Sequence, residues 1–232
     1  MGSNLEPATD RSLVAGSGFL RPPVSGTRIP GNVLSVRGTL SAAGLDRPVP
    51  LGDPAVLSAL PYPRSSRPKK PLGVVPHVSE VDDFLAKASP GVEVIDVRRS
   101  PIEVVRSIAE CSRIVSRSLH GLIVADAYEI PNVWLAPSSR MVGGEFKFHD
   151  YYSTTDRHPA PEEIAPEGGG SVDPTRFSVA GFRFDRHSLQ EGLRDGIRLW
   201  LGALHYTVVR CIFRPTFTHF KRVEQGQPAR LY

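Results

Sequence analysis

Four short apolar runs, at residues 72–76, 92–97, 113–116 and 132–135, alternate with helical patterns at 78–88, 101–111 and 119–128. No other feature restricts the fold as tightly. Strands separated by single short helices pair in parallel, with right-handed crossovers that lay helices on the sheet. The local signals agree. Ser79 reads as an N-cap with Asp82 three residues on. Ser100, Pro101 and Glu103 form a cap, a first-turn proline and a reciprocal partner. The 119–128 helix is apolar on nearly every side, as a layer inside a core would be. The expected class is α/β, with a doubly wound, Rossmann-like parallel sheet over residues 71–157.

In such sheets, binding groups gather where strands run into helix N-termini. The 113–116 strand enters a polar turn holding Arg117, Ser118 and His120. Backbone N–H groups and the helix dipole favour an anion there. Arg117 adds a permanent charge, and His120 a group able to exchange a proton near neutral pH. A phosphorylated or carboxylated ligand fits that combination. A plain hydrogen-bonded histidine at a helix start fits it about equally well. Arg37 ends another strand, 32–36, and His77 follows the 72–76 strand. Read alone, Arg37 is better taken as an exposed, solvated side chain. Gly16-Ser17-Gly18 follows a short strand and could admit a phosphate, although a plain turn is the better reading.

The remaining chain divides by composition. Residues 1–70 hold a small α/β portion and a linker, with four prolines and a basic run between 61 and 71. Residues 145–152 suggest a short aromatic helix. Residues 158–232 read as a Pro/Gly-rich flexible connection, a long amphipathic helix opened by the Ser188-Leu189-Gln190-Glu191 box, and a basic tail. That helix is expected to pack on the sheet domain; the alternative is peripheral membrane contact through residues 189–222. Net charge is +4, and the last 28 residues alone hold five basic side chains against one acidic. The body is therefore near neutral, which argues against a nucleic-acid-binding face. Cys111 and Cys211 lie far apart in apolar settings, so reduced thiols are expected rather than a metal site or disulfide. No signal peptide or membrane-spanning run is visible, and the expected location is cytoplasmic, extending to the inner membrane face.

Several of these segments, taken in order, resemble the polysaccharide pyruvyl transferase family over roughly residues 13–157. They are Ala15-Gly16-Ser17-Gly18-Phe19; Ser35-Val36-Arg37-Gly38 with Ser41; Leu51-Gly52-Asp53-Pro54; Gly73-Val74-Val75-Pro76-His77; and Lys147-Phe148-His149-Asp150-Tyr151-Tyr152. The most specific is Ser116-Arg117-Ser118-Leu119-His120-Gly121, continuing to Asp126. The resemblance implies a fold similar to two-domain B-type glycosyltransferases, here with a shortened N-terminal domain and a C-terminal helix. It implies transfer of pyruvate from phosphoenolpyruvate to two hydroxyls of a sugar or lipid-linked oligosaccharide, as a ketal, during cell-surface or exopolysaccharide synthesis. No cofactor is expected beyond phosphoenolpyruvate as donor substrate, and no metal-binding residue is assigned. By resemblance, His120 is the general acid, Arg37 and Arg117 grip the donor, and Ser118 lies beside it, where many relatives carry arginine. His77 is structural or contacts the acceptor. Other readings are a non-catalytic shortened homologue that binds an anion or a partner, and a related B-type glycosyltransferase using a nucleotide sugar.

Overall fold

A computed structural model describes residues 5, 7–9, 12–24, 32–64, 67–163 and 174–203, the side chains of 198–203 excepted. Strands β3 (Leu72–Val75), β4 (Val92–Val94), β5 (Ile114–Ser116) and β6 (Asn132–Trp134) form one parallel sheet in the order β4-β3-β5-β6. The sheet is Rossmann-like. The chain leaves β3 toward β4, then crosses to the other side of β3 to lay down β5 and β6. The order therefore reverses between β3 and β5, and their C-terminal ends flank the crevice where such sheets bind ligands. Two further strands, β1 (Val14–Ser17) and β2 (Val33–Val36), pair in parallel as a separate small sheet.

The helices are α1 (Thr39–Ala42), α2 (Val81–Ala86), α3 (Pro101–Ala109), α4 (Leu119–Ala127), α5 (Phe146–Tyr152) and α6 (Arg186–Ala203). Helix α3 begins as its sequence dictates: the Ser100 side chain accepts from the Glu103 N–H, and the Glu103 side chain accepts from the Ser100 N–H. Helix α4 is buried on all sides, packed against β5, β6, α3 and a 3₁₀ turn at Pro54–Leu57. Leu122 and Ile123 are wholly buried there, each worth about 1.5–3 kcal/mol of apolar transfer. Gly121 permits the approach, because a Cβ at that position would overlap Ser116 Oγ and the Val75 side chain.

The C-terminal end of α4 is tied by polar bonds. Asp126, fully buried, accepts from Asn132 Nδ2 at 2.6 Å, from the Ala180 N–H at 3.0 Å and from the Tyr151 hydroxyl at 2.9 Å. One carboxylate thus joins α4, β6, α5 and the 177–182 segment.

Several boundaries differ from the sequence reading. Ser79 is no N-cap. A 3₁₀ turn, Val78–Glu80, precedes α2, and it is capped by His77, whose Nδ1 accepts from the Ser79 N–H. Helix α6 starts at Arg186, because Asp185 accepts from the N–H groups of His187 and Ser188 and so caps the helix ahead of the expected box. Leu189 and Leu193 bury against the main core, and α6 packs on β2 and the Pro54–Leu57 turn rather than on the four-stranded sheet. The described part of the 61–71 stretch is anchored. Arg64 donates to the carbonyls of Ala109 and Cys111, and the Lys69 N–H donates to the Glu110 carbonyl. These carbonyls close α3, where helix geometry supplies no donors. Glu162 likewise pairs with Leu135 as an extension of β6, within what reads as a flexible connection. Gly168-Gly169-Gly170, Cys211, the helix beyond Ala203 and the basic tail lie outside the described residues.

Candidate active site

Three strand ends and one helix converge on the crevice. β2 ends directly at Arg37, β3 leads through Pro76 to His77, and β5 leads to Arg117, Ser118 and His120. Helix α5 adds Lys147. Charge effects record how these groups are grouped. Arg37 acts on both His120 and Lys147; Lys147, Arg117 and Arg140 act on His77. The site is thus a run of cationic and imidazole groups along the C-terminal edge of both sheets.

His120 occupies the second position of α4. Its side chain is 17% exposed, and its Nε2 lies 3.5 Å from Asp53 Oδ2. Burial pulls its basicity below the usual histidine value; Asp53 opposes that, and Arg37 adds to it. Ser118 stands at the N-cap position in extended conformation without a side-chain capping bond. Its backbone is folded back by Ser116, whose Oγ accepts from the Ser118 N–H at 3.1 Å and donates to the Ser118 carbonyl at 2.7 Å. No acidic residue occupies the first turn of α4, so its positive end is not offset there.

Both expected donor-gripping arginines are more embedded than their sequence positions imply. Arg37 is 1% exposed, not solvated. Its Nε donates to Asp150 Oδ2 at 2.9 Å, and its Nη2 to the Phe19 carbonyl at 2.8 Å. Asp150 also accepts from the Ser41 N–H and hydroxyl, both at 2.7 Å. This buried cluster fixes α5 to the corner between β2 and α1. Gly18 leaves room for the guanidinium, since a Cβ there would overlap it; Gly16 abuts Pro54 in the same way. The Gly16-Ser17-Gly18 turn therefore serves packing. Arg117 is also buried, donating from Nη1 to Glu80 Oε1 at 3.0 Å and lying over the Phe84 ring. Each arginine meets the site as a fixed charge behind its wall, because its fork is engaged by a carboxylate.

Lys147 lies with its Nζ 5.3 Å from the centroid of the Phe148 ring. Burial, followed by the Arg37 charge, lowers its pKa to about 8. His77 is pulled down by burial and then by Lys147, with Glu80 opposing. A site holding one lysine and two imidazoles below their ordinary basicity takes up protons when an anion arrives. Among the described residues, no group of three or more metal-ligating side chains occurs.

Asp53, Lys147 and Asp150 have no role in the sequence reading. Asp53 reads as turn chemistry before Pro54, and only the fold brings α4 to it. Lys147 and Asp150 carried a usable signal: three residues apart, they share one face of an otherwise aromatic helix.

Residues 31–139 match the family described as polysaccharide pyruvyl transferase. That segment is what the chain shares with the polysaccharide pyruvyl transferase family. It contains Arg37, Asp53, His77, Arg117, Ser118 and His120, and ends ahead of Lys147 and Asp150. The chain is 35% identical over 159 residues to the succinoglycan biosynthesis protein ExoV of Rhizobium meliloti, covering 65% of this chain and 49% of that protein. It is 28% identical over 120 residues to the uncharacterized protein L143 of Acanthamoeba polyphaga mimivirus, covering 45% of this chain and 39% of that one. The chain thus spans half or less of the length of these curated relatives. No solved structure matches it. No helix among the described residues is long and apolar enough to cross a membrane.

Proposed function

We propose that this chain carries the donor-binding half of a pyruvyl transferase of exopolysaccharide synthesis, using phosphoenolpyruvate and a sugar or lipid-linked oligosaccharide. The observation that carries this reading is the placement of His120. It sits at the start of α4 beside Asp53, within the field of Arg37, at the crevice between β3 and β5. The family match and the ExoV likeness support the same reading.

The donor is a small polyanion. Lys147, the α4 N–H groups and the fixed charges of Arg37 and Arg117 meet its carboxylate and phosphate. Its arrival favours the protonated form of His120. His120 then gives a proton to the methylene carbon, which becomes a methyl group, and the adjoining carbon becomes oxocarbenium-like. One sugar hydroxyl oxygen bonds to that carbon and its proton returns to the imidazole. Phosphate leaves with its bridging oxygen, a second hydroxyl takes its place, and that second proton departs with phosphate. The products are a pyruvate ketal and inorganic phosphate.

On this reading, β1 and β2 are the closing strands of the first domain in a B-type glycosyltransferase-like pair. The acceptor side of the cleft is built by that domain. On this reading the reaction runs in the cytoplasm, extending to the inner membrane face. The decisive measurement is phosphate release from phosphoenolpyruvate with a sugar acceptor. Wild type releases phosphate, and His120→Gln loses about 10²–10⁴ of the rate. Equal rates remove the assigned acid. The second reading, an anion-binding module without turnover, is favoured by the two arginines being engaged by Asp150 and Glu80. It predicts saturable phosphoenolpyruvate binding with no phosphate release in either protein.

A further inference from the structure

We propose that Arg140 is the arginine that grips the donor directly, exchanging the exposed carboxylate of Asp83 for an anionic end of the substrate. This deepens the transfer reading and rests on it only for the identity of that anion. Arg140 stands in the loop between β6 and α5, ahead of Lys147. Its Nη1 donates to the Ser79 carbonyl at 3.0 Å, and its Nη2 pairs with Asp83 on α2. Ser79 belongs to the 3₁₀ turn that His77 caps, so the guanidinium lies on the rim formed where β3 ends. Its charge acts on the His77 ring, as do those of Lys147 and Arg117.

The cost of changing partner separates the three arginines. Arg37 and Arg117 are 1% and 4% exposed, and their partners Asp150 and Glu80 are 0% and 2% exposed. Drawing either fork toward a ligand would strand a buried carboxylate without its counter-charge, which is the costly way to break a buried pair. Arg140 and Asp83 are 49% and 47% exposed. Water solvates Asp83 once it is released, and an exposed pair does little to hold the guanidinium where it is. Glu80 Oε1 also lies 3.7 Å from Arg140 Nη2, but Arg117 already neutralises that carboxylate at 3.0 Å. A guanidinium fork matches a phosphate or a carboxylate in two parallel bonds, and a phosphate brings more charge than Asp83 does.

The backbone is anchored on either side of this exchange. The Met141 side chain is buried in the main core, and its N–H donates to the Ser138 carbonyl at 3.0 Å. Gly143, at φ +90, abuts Leu20 so closely that a Cβ there would overlap its side chain. Leu20 follows Phe19, whose carbonyl holds Arg37. The loop thus ties the α2 side of the crevice to the corner that fixes Arg37. What changes partner is one long side chain on a fixed Cα.

The test is calorimetric titration of the full chain at neutral pH with phosphoenolpyruvate, inorganic phosphate and pyruvate. Arg140→Gln is expected to weaken phosphoenolpyruvate binding at least about tenfold. Arg140→Lys, which keeps the charge without the fork, should recover part of that loss. Asp83→Asn removes the competing charge and is expected to tighten binding, by up to about fivefold. The opposite signs are decisive, because a tie that only braces the loop is broken by both variants and predicts a loss in both. Inorganic phosphate and pyruvate then show which end is held, as the probe whose affinity follows the same pattern. An unchanged affinity in Arg140→Gln, or no tightening in Asp83→Asn, overturns the proposal, as does a wild type that binds none of the three anions saturably. If Arg140→Gln fails to fold, the sign of the Asp83→Asn change decides. Opposite signs without phosphate release in wild type sink the transfer and leave the Arg140 assignment standing.

Discussion

The two ends of α4 each place a buried carboxylate against a polar partner, and they do so in opposite ways. At the C-terminal end Asp126 is saturated, with bonds of 2.6–3.0 Å from Asn132, Ala180 and Tyr151, and Arg157 Nη1 at 3.7 Å. At the N-terminal end Asp53 gives one oxygen to a cap and directs the other at His120 across 3.5 Å. A saturated network holds elements in place; a loose pair in a crevice leaves a proton free to move. The same helix is thus pinned at one end so that its other end can be used. Tyr151 strengthens the contrast: its hydroxyl is pushed far from ionisation by burial, then by Asp126, and so remains a donor throughout the neutral range.

The sharpest way to break that comparison is to remove the saturated carboxylate. Asp126→Ala leaves the Tyr151 hydroxyl and the Ala180 N–H buried without that acceptor, strips Asn132 Nδ2 of one of its two acceptors, and should cost about 3–5 kcal/mol in urea unfolding. His120→Gln at the other end should stay within about 1 kcal/mol of wild type in the same assay, although the transfer rate collapses. If the two variants unfold alike, the ends do not differ in the way described.

Gly121→Ala comes next, because propensity and packing predict opposite signs. In an exposed helix the change would stabilise by about 1 kcal/mol. Here the new Cβ meets Ser116 Oγ and Val75, so the expected result is a loss of about 1–3 kcal/mol and a displaced first turn. A more stable Gly121→Ala protein would show that α4 has room to settle on β5.

These contrasts explain what the sequence made legible. Strands β3 to β6 and helix α3 follow from local signals that no distant contact overrides; Ser100, Pro101 and Glu103 are sufficient for α3. Position at strand ends was legible too, and it carried Arg37, His77 and His120 to the same crevice. Burial at those ends was not. Arg37 reads as solvated because its partner, Asp150, is over a hundred residues away, and Asp53 reads as a turn residue because α4 reaches it only through the tertiary fold. Helix starts were missed where a neighbour capped better, as Asp185 does ahead of Ser188.

Lys147 gives the smallest effect and the finest test of the open end. An ordinary lysine keeps its charge to about pH 10, but this one loses it near pH 8 because it is buried beside Arg37. An anion binds the charged form better, so affinity is present below that pH and declines as pH rises through it. Phosphoenolpyruvate and inorganic phosphate are already fully or nearly fully ionised in this range, which assigns the change to the protein. Calorimetric titration should show up to about tenfold weaker binding one pH unit above 8. Lys147→Arg, which stays charged, should flatten that decline. Lys147→Met should bind weakly at every pH. A wild-type affinity that is constant from neutrality to pH 9 would place the lysine outside the anion's reach and leave the α4 N-terminus and the fixed arginines to hold the donor.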